Sequence, residues 1–150
     1  MRGVKRVAQE VGVALLLGGN LFGRRAMHPA LEWVSSPAER GKVVNEAWRR
    51  YGTFNSIGLA GVVGGWALER GERPDPLRDL AVAAVAVTGI ASAVEGVRFG
   101  RSAPGGGVPL KSGSEPSAET SSEAARSKRV LNALGQASAI AELALIVTRR

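Results

Sequence analysis

Four stretches of this chain carry no Asp, Glu, Lys or Arg: Val11–Gly23, Gly52–Leu68, Leu80–Val94 and Val130–Ala141, the last resuming after Glu142 as "LALIVT". With their flanks, each reads as a helix of about 17–20 residues, near the thickness of a bilayer's hydrocarbon core at about 1.5 Å per residue. A soluble four-helix bundle gives each helix one apolar stripe and one polar face. In "GLAGVVGGWAL" and "LAVAAVAVTGIASAV" all sides are apolar or small, and no face is left for water. The sequence therefore predicts an all-α fold: an integral membrane four-helix bundle, one domain over residues 1–150, with spans at about 7–25, 50–69, 79–98 and 129–148. Such a chain is a multi-pass protein of the cell membrane, and the lipid bilayer is its first partner.

The net charge of +7 admits nucleic acid, anionic lipid or basic loops as its cause. Position decides. The basic residues sit at the ends of the uncharged runs, in "VKR", "GRR", "WRRY", "VRFGR" and "SKRV", and aromatic residues make up only 5% of the chain. A nucleic-acid surface interleaves basic and stacking residues on one face, so nucleic acid is not an expected partner. The absence of cysteine excludes disulfides, thiolate metal sites and thiol nucleophiles, and a single histidine, His28, excludes a histidine-rich metal site. No phosphate-binding glycine loop and no HExxH is present, so neither a metal nor a cofactor is expected. The first run leads to a charged exit, "GGNLFGRRAMHP", rather than to the small-residue site of a cleavable signal peptide.

Local signals organise the runs into two hairpins with both long loops on one side. Ser36, Pro37 and Glu39 form a capping box with proline at the first helical position, which predicts a long second helix starting near Pro37. Val43, Val44, Ala47, Trp48 and Tyr51 then make a stripe, with Arg49 and Arg50 placed to snorkel and Trp48 and Tyr51 at headgroup depth. "TSSE", Thr120–Glu123, repeats the capping pattern before the fourth run. Pro74 and Pro76 force a tight reversal between runs two and three, whereas the Gly/Pro/Ser-rich segment 102–120 reads as a flexible or irregular loop. Twelve of the twenty basic residues fall on the long-loop side, which favours termini outside, while the dense "MRGVKR" favours the opposite; orientation stays open.

Counting turns from the span ends puts Asn20, Asn55, Glu95 and Asn132 at one depth, about one turn inside the long-loop face, with His28 just beyond. Polar groups there either glue helices together or line a small pocket in which Glu95 accepts a proton and the asparagines orient a lipophilic ligand. Glu10 and Glu142 form a second candidate site, an acidic pair for a proton or cation between helices one and four. Gly19 and Gly23, Gly61 and Gly65, and Gly96 and Gly100 have small-xxx-small spacing, which serves packing within the bundle or, alternatively, a homo-oligomer.

The segments "GGNLFGRRAMHPAL", "ERGKVVNEAWRRYGTFNSIGLA", "APGGGVPL" and "KRVLNALG" resemble an uncharacterised family of short four-span membrane proteins of actinobacteria, over nearly the whole chain. That resemblance implies architecture and carries no activity. "HPAL" followed by "AWRRYGTFNSIGLA" is more distantly similar to the anthrone oxygenase-like membrane proteins, whose asparagine-bearing motif between spans three and four has no match here. Three functional readings follow. The first is a structural or accessory membrane protein, or one that binds a small lipophilic molecule or a membrane partner. The second, implied by the oxygenase likeness, is a cofactor-free enzyme on a lipophilic aromatic substrate with Glu95 or His28 as base. The third is a proton- or ion-coupled transporter subunit using Glu10 and Glu142.

Overall fold

The computed structural model describes residues 2–71 and 74–148; Glu72 and Arg73 in the predicted reversal, and the terminal Arg149 and Arg150, lie outside the described residues. Four long helices dominate: α1 (Arg2–Phe22), α2 (Pro37–Arg70), α3 (Pro76–Arg101) and α4 (Ser122–Val147). Among the described residues there is no strand beyond one isolated bridge between Leu110 and Pro116. α1 pairs lengthwise with α2 and α3 with α4, and the two hairpins close into a bundle through α2–α3 and α1–α4. α1 does not stop at Phe22 but runs on through a π-helical turn, Gly23–Met27, and a helical turn at His28–Ala30.

Caps set the starts of the other three. Ser36 Oγ accepts from Glu39 N at 3.4 Å with Pro37 at the first helical position, as the capping box predicts. Asp75 accepts from Leu77 N and Arg78 N at 3.0 and 3.2 Å. At α4 the cap falls one residue later than "TSSE" suggests: Ser121 Oγ accepts from Ala124 N, while the Thr120 hydroxyl is drawn off to the carbonyl of Pro109. Each such cap contributes about 1 kcal/mol.

Inside the bundle, α2 turns a regular stripe toward its neighbours: Gly41, Val44, Trp48, Tyr51, Asn55, Gly58, Val62 and Gly65, all buried or half-buried. The glycines let α1 come against it backbone to backbone. A Cβ on Gly12 would stand 2.6 Å from the Gly58 carbonyl oxygen, and one on Gly61 would stand 2.6 Å from that of Ala8. Gly19 and Gly23 are covered instead by the rings of Tyr51 and Trp48, and Tyr51 Oη donates to the Leu15 carbonyl at 2.8 Å. Two apolar clusters result. Val13, Leu16, Val62, Val82, Val85 and Leu145 fill the middle, and Leu31, Val44, Phe99, Val108, Leu110 and Ala124 fill the long-loop end.

The second cluster takes in the 102–120 segment, whose irregular backbone is one of the two readings its composition allows. The backbone there is irregular but packed: Leu110 is fully buried, its N–H bonds to the Pro37 carbonyl at 3.0 Å, and the Val108 carbonyl rests on Gly41. Composition signals loose chain, yet two apolar side chains plug the end of the bundle, and Gly105 and Gly106 supply the positive φ that the bend requires.

The outside is as telling as the inside. Every exposed position of α1 from 11 to 22, α2 from 53 to 68, α3 from 80 to 97 and α4 from 130 to 147 is uncharged. This belt is about 24–27 Å tall on α2, α3 and α4 and about 18 Å on α1 at 1.5 Å per residue. Large apolar side chains such as Leu80, Val87, Ile90, Val94, Ile140 and Val147 stand out from it. α3 and α4 are long and apolar enough to cross a membrane; α1 and α2 dilute their runs with glycine, asparagine and threonine.

Gly12→Ala should lower the unfolding midpoint in a detergent titration, by about 1–3 kcal/mol from overpacking. Gly18→Ala, six residues along the same helix with nothing within 4 Å of its added carbon, should leave the midpoint unchanged or raise it.

Candidate functional site

The polar groups predicted to share one depth separate into unequal parts. Asn20 Nδ2 donates to the Gly135 carbonyl at 2.8 Å, and Asn20 Oδ1 accepts from Arg24 Nε at 3.0 Å. Arg24 Nη2 reaches the Asn132 carbonyl at 2.9 Å, and Asn132 Nδ2 donates to the Ser114 carbonyl at 2.8 Å. His28 Nδ1 lies 2.9 Å from Ser114 Oγ. The structure thus brings Asn20, Asn132 and His28 together, through Arg24 and Ser114, into a single ladder from α1 to α4 to the long loop. Glu95 belongs to the α3–α4 seam: it accepts from Ser127 Oγ at 2.5 Å and faces Arg98 at 3.7 Å. Asn55 is half-buried in the α2 stripe and joins neither group among the described residues.

The two carboxylates of the predicted acidic pair face different surroundings. Glu10 is exposed and bonds Arg6 at 2.9 Å. Glu142 is 2% exposed, accepts from Ser138 Oγ at 2.7 Å, and leaves Oε2 without a hydrogen-bond partner. Spacing along two helices sets depth but not rotation, and rotation turns one acid out and the other in.

At the long-loop end a group of basic side chains gathers that the polar layer did not foretell. His28 is 8% exposed, wedged between the Gly113 backbone and the edge of Trp48, whose ring centroid is 6.4 Å away. Nδ1 shares a hydrogen bond with the Ser114 hydroxyl and Nε2 is buried without a partner; when the hydroxyl is the donor, the neutral ring carries its proton on Nε2. Lys128 is 3% exposed; its Nζ stands 5.5 Å from the centroid of Phe99, with no hydrogen-bond acceptor or ion-pair partner among the described residues. Burial, with the charges of Lys128 and Arg24 added, lowers the His28 imidazole to about 4. Burial and then Arg24 lower the Lys128 ammonium to about 8. Lys128 was readable only as a basic flank of the fourth run. The signal that marks it is its place on the line Ala124, Lys128, Leu131, Gly135, Ser138, Glu142 and Leu145, alternate steps of four and three along the inner side of α4.

Among the described residues no three His, Cys, Asp or Glu side chains converge as metal ligands. Among Val13, Val62, Val82 and Leu145 of the first apolar cluster, flanked by Gln9 and Arg78, lies a crevice too narrow for a water molecule. Comparison with protein-family models, with curated proteins and with solved structures returns no match.

Lys128 ties stability to alkaline pH. Between about 8 and its ordinary 10.5 the unfolded chain holds a proton that the folded chain has released. The unfolded state therefore binds more protons, and stability rises with pH. Lys128→Met should be more stable than the unsubstituted protein at pH 7, and the difference should shrink by about 2 kcal/mol by pH 10. Paired unfolding curves at the two pH values check this.

Proposed function

We propose that this chain is a four-span integral membrane bundle with a structural or accessory role. The observation that carries the membrane reading is the belt: on all four helices the exposed residues between the charged ends are uncharged. A monomer in water would hold an apolar surface of that extent at a large cost, whereas lipid accepts it on every side. α1 and α2 pass as partners of the two more apolar helices, their glycine seam turned inward.

The accessory reading is supported by where the polar groups spend their hydrogen bonds. Asn20 and Asn132 bond to backbone carbonyls, Glu95 bonds to Ser127, and the crevice lies among other residues. A substrate site needs polar groups directed into free space beside a reacting atom. These groups instead clamp helix to helix and helix to loop. The apolar outer sides of α3 and α4 then remain for lipid or for a membrane partner.

Ile90, 58% exposed in the middle of α3, separates lipid from water. Ile90→Arg should remove the protein from the carbonate-resistant membrane pellet or sharply reduce its insertion, since arginine at a helix centre costs about 2.5–3.5 kcal/mol there. In a water-soluble bundle the same change would be silent. For the clamp, Asn132→Ala should expose the 102–120 segment to limited proteolysis at least several-fold faster while the helical circular dichroism is kept. Unchanged cleavage would remove the clamp role.

A further inference from the structure

We propose that His28, Lys128 and Arg24 form a binding site for a phosphate oxyanion at the long-loop end of the bundle. The three side chains come from the extension of α1 and from the first turns of α4, and the Gly113–Ser114 stretch of the long loop lies on His28. His28 and Lys128 are both more than nine-tenths buried. His28 Nε2 is buried with no partner, and Lys128 Nζ, which meets no acceptor among the described residues, stands over the face of Phe99. Arg24 spends Nε and Nη2 on Asn20 and Asn132, which fixes its guanidinium and leaves further N–H groups to donate.

What the group lacks identifies its ligand. Lys128 and Arg24 act electrostatically on His28, and Arg24 acts on Lys128, with no carboxylate among them. The nearest acid along the seam, Glu95, is held on Ser127 and Arg98. Elsewhere Arg78 pairs with Glu69, Arg70 with Asp79 and Arg6 with Glu10. A buried lysine and a half-buried arginine beside a buried imidazole, with no carboxylate among them, are an unfavourable arrangement that an anion relieves. A phosphate group fits because its oxygens are spread over a tetrahedron and accept from several donors at once, and because its negative charge matches Lys128 and Arg24.

Depth favours the same chemistry. Trp48 lies beside His28, with Tyr51 against Trp48, and the uncharged belt ends one turn away. In a bilayer that is the headgroup level, where basic pockets between helices take up anionic lipid. The lipid source rests on the membrane reading; free phosphate does not, so the two are tested separately.

The full chain, purified in detergent and exchanged into phosphate-free buffer, is titrated with inorganic phosphate in one arm and with dioleoylphosphatidylglycerol in mixed micelles in the other, following thermal unfolding and native mass. Either probe should raise the unfolding midpoint and appear as a stoichiometric adduct. Response to the lipid alone assigns a headgroup, and response to inorganic phosphate assigns a free anion. Lys128→Met should weaken binding at least tenfold and His28→Gln several-fold, whereas Lys111→Met, on the exposed loop, should leave it unchanged. Having two variants guards against one that misfolds. No response to either probe overturns the site, as does equal binding by folded Lys128→Met and unsubstituted protein. A chain that fails to enter membranes yet binds inorganic phosphate through Lys128 overturns the membrane reading and keeps the site.

Discussion

The close seam between α1 and α2 is the constraint on which the rest of this structure depends. Where Gly12 meets Gly58 and Gly61 meets Ala8, no side chain separates the two backbones, and the helices are held by contact along their whole shared length. Close backbone approach and dispersion carry the association along this seam. Toward the long-loop end the notch widens just enough for rings. Tyr51 lies on Gly19, Trp48 lies on Gly23, and the Tyr51 hydroxyl on the Leu15 carbonyl holds the register. Trp48 in turn sets the wall against which His28 stands.

Above the seam, polar side chains do the joining. Arg40 donates to the carbonyls of Val34, Leu110 and Lys111, so a single guanidinium binds the turn before α2 to the loop before α4. The ladder from Asn20 through Arg24 and Asn132 to Ser114 ties α1 and α4 to the same loop. Side-chain bonds to carbonyls suit helix ends and irregular backbone, where acceptors would otherwise go unused. The cap over the bundle is therefore part of the fold, and Leu110 and Val108 are the apolar side chains that seat it.

Charge is distributed by the same logic. At the surface, Glu46 is bracketed by Arg49 and Arg50, and at the short-turn end Asp79 serves both Trp66 and Arg70. Exposed pairs of this kind add little to stability and mainly keep charge in water. Lys128 and His28 break the pattern, being inside, basic and uncompensated. The proposed anion would satisfy groups that the surrounding fold leaves without an acceptor at the long-loop end.

The sequence by itself determined the elements: four helical runs, their uncharged middles, the cap at Ser36 and the placement of both long loops at one end. These depend on residues within a turn or two of each other, on capping, proline and periodicity, and so survive without knowledge of partners. It also placed Asn20 and Asn132 at a common depth with His28 just beyond, because depth is counted along one helix. The tertiary structure alone decided which side chains meet. Asn55 and Glu95 share that depth but turn to other neighbours, Glu10 faces out while Glu142 faces in, and segment 102–120 packs although its composition reads as loose chain. Lys128 reads as an ordinary basic flank until α4 is rotated against α1. The line of fours and threes along α4 puts Lys128 on one side with Ala124 and Leu131, but only the packing of α4 against α3 and α1 makes that side the buried one.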